Sequence, residues 1–156
     1  MPSDWLKVPH RKQSHDGACL PACARMVMAY FGREVEEADL SRQLRSRPFG
    51  TRSSHIRLLE EWGWSVIYRE GTLLDLQSHV ASGVPCIAFV RAGVLPGWET
   101  DTSHSVVVVG FSVEDVVVHD PAAEPGPERI PLESLMLAWS EFDYVYAALA
   151  PGSGKP

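Results

Sequence analysis

The chain has 156 residues, 45% of them hydrophobic and 22% charged, which is enough for one domain with a core of its own. A net charge of −6 argues against a nucleic-acid partner, and the longest apolar run, "VVVVGF" at 106–111, is too short to cross a bilayer. The polar start "MPSDWLKVPHRKQSHDG" shows no secretory signal, so a cytoplasmic location is expected; three cysteines, an odd count, do not suit a disulfide framework.

The predicted elements follow in chain order. "PACARMVMAYFG" (21–32) reads as a helix, with Pro21 in the first turn and Cys23, Met26, Val27 and Tyr30 on one stripe. Gly32 suits the position just past its end. Further helices are expected over 34–46 and over 53–63, the latter capped by Ser53 or Ser54. A strand at 64–70, a helix at 73–83 and a buried strand at 84–92 come next. Segments 103–112 and 116–120 read as a hairpin turning at Glu114–Asp115. A loop (122–131), a helix (132–140) and a last strand (144–150) complete the chain, and 151–156 reads as a disordered tail. Helices early and strands late give an α+β class, helices packed on an antiparallel sheet in one domain over 1–156.

Cys19 and Cys23 stand four residues apart at a helix start. A disulfide at that spacing would distort the helix, because residues i and i+4 hold their Cβ atoms roughly 6 Å apart. Zinc could use His10, His15, Cys19 and Cys23, but there is no second cysteine pair, and no metal is expected. A nucleophile is the third reading. Cys19 adjoins the N-cap, where the helix dipole and free N–H groups favour thiolate. Cys23 falls on the apolar stripe and Cys86 in a core strand, both as small hydrophobes.

A thiolate nucleophile needs a base, and the base an orienting group. His55 and His79 lie on polar helices and are expected at the surface; His119 alternates with buried valines. His104 opens the run "HSVVVVG", and Asp120 closes the second hairpin strand sixteen residues later. A turn midway brings His104 and Asp120 together at the open end. The sequence has no asparagine, which excludes a Cys-His-Asn triad. Gln13, six residues before Cys19, has an amide that could donate to an oxyanion, although alone it carries no meaning.

Taken together, Gln13-x5-Cys19, "PAC" (21–23), "MVMAYFG" (26–32), "HSVVVVG" (104–110) and "VVVHDP" (116–121) resemble the two motifs of the bacteriocin-processing, double-glycine-leader cysteine peptidases. The resemblance runs from about Gln13 to Pro121. It implies a papain-like fold with Cys19 as nucleophile, His104 as base, Asp120 as orienter and Gln13 as oxyanion donor. It also implies cleavage of peptide or leader-peptide substrates after a small-residue pair, with no cofactor, and association with a separate export transporter. The alternative is a non-catalytic peptide-binding module on the same fold. Leu20 stands where the family usually has glycine, and Trp98 lies six residues before His104; both are expected to bind substrate by narrowing the cleft. Residues 61–156 carry thirteen acidic side chains against four basic ones. Glu99, Asp101, Glu114 and Asp115 are therefore expected near the cleft mouth, favouring substrates with a basic residue.

Overall fold

The computed structural model describes residues 5–152. A six-stranded antiparallel sheet runs through its middle, formed by β1 (Trp64–Glu70), β2 (Cys86–Arg91), β3 (Ser103–Phe111), β4 (Asp115–His119), β5 (Glu128–Pro131) and β6 (Val145–Pro151). Their order is β1-β6-β2-β3-β4-β5, so the last strand enters the sheet between the first two. Helix α1 (Cys19–Tyr30) and the short α2 (Glu37–Gln43) cover one face, while α3 (Leu73–Ala81) and α4 (Leu132–Ser140) cover the other.

The valine run of β3 shows why both faces are covered. Val107 and Val109 pack with Met26 and Val27 of α1, and Val106 and Val108 pack with Leu135 and Trp139 of α4. An unbroken apolar run belongs to a strand buried on two sides, where alternation would mark one wet face. The expectation of helices on an antiparallel sheet therefore holds, with the helices divided between two layers.

Most elements lie where their patterns place them, and the differences have local causes. Helix α1 ends as expected, with Gly32 at φ 86°, a backbone that glycine adopts without steric cost. Helix α2 is shorter than 34–46. Glu34 is drawn out of it by ion pairs with Arg11 and Arg25, and Arg45 turns left-handed at φ 57°. Residues Ser53–Trp62 form a 3-10 helix in place of an α-helix. The fully buried Ile56 and Leu59 recur at i and i+3, the period of that tighter coil. No side chain caps it; Ser53 instead bonds Tyr68 Oη at 2.6 Å. The predicted loop at 122–131 ends in an edge strand, β5, which buries only Ile130 and closes on a proline with no N–H to give. The expected tail at 151–156 is partly strand, since Pro151 is the last residue of β6; residues 153–156 lie outside the described residues.

Where β2 stops, at Cys86 opposite Val108, the N-terminal segment takes its place beside β3. Leu6 N–H donates to Val109 at 2.9 Å and Trp5 bridges Gly110. The segment then crosses β4: His10 Nε2 meets the Asp120 carbonyl at 2.9 Å, and Gln13 N–H donates to the Pro121 carbonyl at 2.8 Å. This strap ties the chain before Cys19 to the chain around Asp120.

Candidate active site

The approach to Cys19 is a single 3-10 turn, Asp16–Ala18, capped by His15, whose Nδ1 accepts from Gly17 N–H at 3.1 Å. Gly17 is required there by contact. A Cβ on it would lie 2.1 Å from the carbonyl oxygen of Pro48. Cys19 is then the first residue of α1, beside the positive end of its dipole.

The hairpin supplies the facing groups. Its register, shifted by one residue between Val108 and Gly110, ends on the pair Val107–His119, so Asp120 directly follows the last paired residue and lies diagonally across from His104. Such diagonal neighbours are within reach of long side chains. His104 Nε2 and Asp120 Oδ1 are 2.7 Å apart, and both residues are about 5% exposed. Asp120 Oδ1 also accepts from Ala122 N–H at 2.9 Å, and its Oδ2 accepts from Trp98 Nε1–H at 3.1 Å. With Nε2 committed to the carboxylate, Nδ1 is the ring nitrogen left for Cys19.

The electrostatics follow from these partners. Burial opposes a Cys19 thiolate, but the hydrogen bond and charge of His104, joined by the hydroxyl and backbone of Ser105, outweigh it and hold the thiol below its ordinary range. Burial likewise works against an imidazolium at His104. Its bonds to Asp120 and Cys19, and their charges, raise it nonetheless to about 9. Asp120 is held below the usual carboxylate range: burial alone would raise it, but His104, the Ala122 N–H and Trp98 lower it. The other two thiols go the opposite way. Complete burial raises Cys23 well above an ordinary thiol, and burial with the Asp75 charge pushes Cys86 up to about 12. All three cysteines are free thiols.

The structure thus brings Cys19, His104 and Asp120 into one chain of contacts. Gln13 lies on the strap, with Nε2 donating to the His15 carbonyl at 3.0 Å and Oε1 buried without a partner. One hydrogen of that amide remains uncommitted. Leu20 is 2% exposed and packs with Cys23, Ala24 and Val27, so it forms part of the cleft floor and not a wall. Trp98 is not among the residues that line the cleft. It covers the far side of the base, its ring 4.6 Å from that of His104. Loop 92–102 sends it there by returning to the strand pair at Thr102, which accepts from Ala92 N–H at 2.8 Å.

Other histidines are more enclosed than expected. His55 and His79 are half-buried, bonded to the Leu44 carbonyl and to Tyr146 Oη. His119 is 3% exposed and packs edge-on against His10, away from Cys19. Glu99, Asp101, Glu114 and Asp115 do not line the cleft either. Asp101 is bonded to Gly93 N–H and pairs with Arg91, while Glu114 and Asp115 sit at the closed end of the hairpin. Sequence reasoning missed Ser105, whose hydroxyl lies 3.5 Å from Cys23 Sγ and also meets Cys19. Its signal was alternation, since Ser105 shares the α1-facing side of β3 with Val107. It also missed His10, which holds the Asp120 carbonyl, and the segment 45–52, which lines the cleft.

A thiol at a helix start, facing an imidazole and a carboxylate on an antiparallel sheet, is the papain-like arrangement. The chain belongs to the Peptidase_C39-like family, which it matches over residues 5–149. Similar solved structures include a protein from Bacillus anthracis described as a C39-like peptidase, with a TM-score of 0.77 and 18% identity over 93% of this chain and 95% of that one. The peptidase domain of Streptococcus ComA, a bifunctional ABC transporter of a quorum-sensing pathway, gives 0.72 and 18% over 92% and 98%. The double-glycine motif protease of an AMS/PCAT transporter, solved with its leader peptide, gives 0.71 and 20% over 94% of each chain. No curated protein matches the sequence. Among the described residues, no helix is long and apolar enough to cross a membrane.

Proposed function

We propose that the protein is a cysteine peptidase in which Cys19 is the nucleophile, His104 the base and Asp120 its orienter. The observation that supports this best is the line of contacts from Cys19, at the start of α1, to His104 and on to Asp120 Oδ1, 2.7 Å from His104 Nε2; the lowered thiol and raised imidazole agree with it. In this reading the Cys19 thiolate attacks the scissile carbonyl carbon. The oxyanion so formed takes hydrogen bonds from the Cys19 N–H and the uncommitted Gln13 amide hydrogen. His104 then passes its Nδ1 proton to the leaving amine, and the C–N bond breaks to leave a thioester. Water, giving up a proton to His104, hydrolyses that thioester and restores Cys19. Asp120 keeps Nε2 protonated throughout, and Trp98 fixes Asp120 and shields the pair from water.

The substrate in this reading is a peptide or leader sequence cut after small residues. Leu20 fills the floor beside Cys19, where glycine would leave a deeper subsite. The transporter-borne peptidases of the same fold suggest that the peptide is one delivered to an export transporter, on its cytoplasmic side. The test is a peptide-library digest read by mass spectrometry. Wild type should cut after Gly-Gly, Gly-Ala or similar pairs, and Cys19→Ala should cut nothing. Equal digestion by both proteins would refute the assignment.

A further inference from the structure

The arginines divide into two groups. Arg11, Arg25, Arg42, Arg91 and Arg129 pair with carboxylates, Arg33 lies over Trp64, and Arg57 and Arg69 bond to Tyr68 and Tyr146. Arg45, Arg47 and Arg52 are the remaining three of the eleven. Among the described residues their side chains make no ion pair, hydrogen bond or ring contact, and all three are exposed on the wall of the cleft that holds Cys19 and His104. A protein of net charge −6 thus gathers, at its candidate active site, the three guanidinium groups that have neither a carboxylate nor an aromatic side chain for a partner.

Their position is fixed relative to the thiol. Arg47 and Gly50 exchange two backbone hydrogen bonds, of 2.8 and 3.0 Å, and so close a tight turn. The Pro48 carbonyl of that turn sits against Gly17, two residues before Cys19, with no room for a Cβ. Phe49 at the tip is 87% exposed beside the arginines. Asp16, Glu141 and Asp143 line the cleft as well. Glu141 is claimed by Arg91, and Asp143 lies on a separate segment, before β6, where its charge would repel a carboxylate.

We propose that Arg45, Arg47 and Arg52 form a carboxylate-recognition wall, and that the peptide bound at Cys19 is acidic. This rests on the peptide-cleaving reading of the site and adds its specificity. Guanidinium groups suit carboxylates by matching their planar, two-oxygen geometry. Charge complementarity orients the bound chain, with its carboxylates towards residues 45–52 and away from Asp143. A substrate rich in lysine or arginine would leave the three guanidinium groups unpaired and be repelled by them.

The test uses full-length Cys19→Ala protein and fluorescein-labelled peptides ending in Gly-Gly-Ala. Within each set, one residue before the glycine pair is Glu, Gln or Lys, and the substituted position is walked along the peptide. At the best position and low salt, the Glu peptide should bind about tenfold more tightly than its Gln twin, with Lys weakest. Adding R45Q, R47Q and R52Q together should bring the three peptides to one affinity, and Arg→Glu at the same sites should reverse the order. Circular dichroism would verify that the variants are folded. Equal binding of the Glu and Gln peptides at every position, a Glu preference that survives the triple change, or no binding of any peptide would overturn the proposal. Cleavage by the wild type is scored separately. A Glu preference without cleavage would defeat the peptidase reading alone, and cleavage indifferent to charge would defeat only the acidic wall.

Discussion

The first and second turns of α1 each carry a cysteine, and the two thiols have opposite characters. Cys19 is half-buried at the helix start and faces His104; Cys23 is wholly buried and faces only the Ser105 hydroxyl among polar groups. Both feel burial, which favours the neutral thiol. What separates them is the partner, since only Cys19 has an imidazolium to offset that penalty. One helical turn therefore separates a thiol held below its ordinary range from one raised well above it, and the lesson is that thiolate character depends on the facing strand more than on the helix.

Exchanging the first-turn thiol breaks this comparison most sharply. Cys19→Ala should remove turnover of any cleaved peptide, with the melting temperature nearly unchanged because the side chain is partly exposed. Calorimetry and a fluorogenic Gly-Gly peptide would read both, and a large loss of stability would show Cys19 to be structural.

Removing the support behind His104 comes next in size. Asp120→Asn should cost about 10²–10⁴ in kcat, because the amide favours the wrong imidazole tautomer. It should also move the alkaline limb of the pH profile. His104 is raised from 6.5 to about 9, so its imidazolium, and the stability this lends the fold, is complete below 6.5 and is lost as pH rises through about 9. In Asp120→Asn that loss should come at lower pH, visible in both the pH–rate profile and melting temperatures. A limb that stays near 9 would mean that Asp120 does not set it.

The proposed oxyanion donor offers a smaller effect. Gln13→Ala should lower kcat about 10²–10³-fold with KM little changed, since the contact is made mainly in the transition state. A raised KM with kcat intact would point instead to the strap positioning substrate.

The second-turn thiol should matter least for chemistry. Cys23→Ser should keep most activity and cost about 1–2 kcal/mol of stability, as the hydroxyl is buried with Ser105 as its partner. Iodoacetamide should label Cys19 rapidly near neutral pH and leave Cys23 and Cys86 unmodified until the protein unfolds. Comparable labelling of Cys19 and Cys23 would erase the distinction drawn between them.

Local patterns determine much of this protein. The apolar stripe of α1, with Gly32 at its end, is a property of side chains a few residues apart. So are the strand at 64–70 and the hairpin that sets Asp120 near His104. The short turn also sets the register beside it, pairing Phe111 with Val116, although a one-residue shift between Val108 and Gly110 intervenes before Val107 meets His119. The nearness of His104 and Asp120 is therefore legible in the sequence, and their final register is not. Tertiary packing alone decided the rest. Trp98 and Leu20 both read as cleft walls from their places in the chain. A loop turns the indole onto Asp120, and the first helical turn points Leu20 into the core, neither of which short-range spacing can specify. The charges of the cleft show the same limit. Acidic residues dominate the C-terminal part of the chain, yet three arginines from 45–52 line the cleft, because the Pro48 carbonyl docks on Gly17, about thirty residues away in sequence. Side chains that meet across such separations are chosen by the packing of whole elements, and no periodicity in the chain records it.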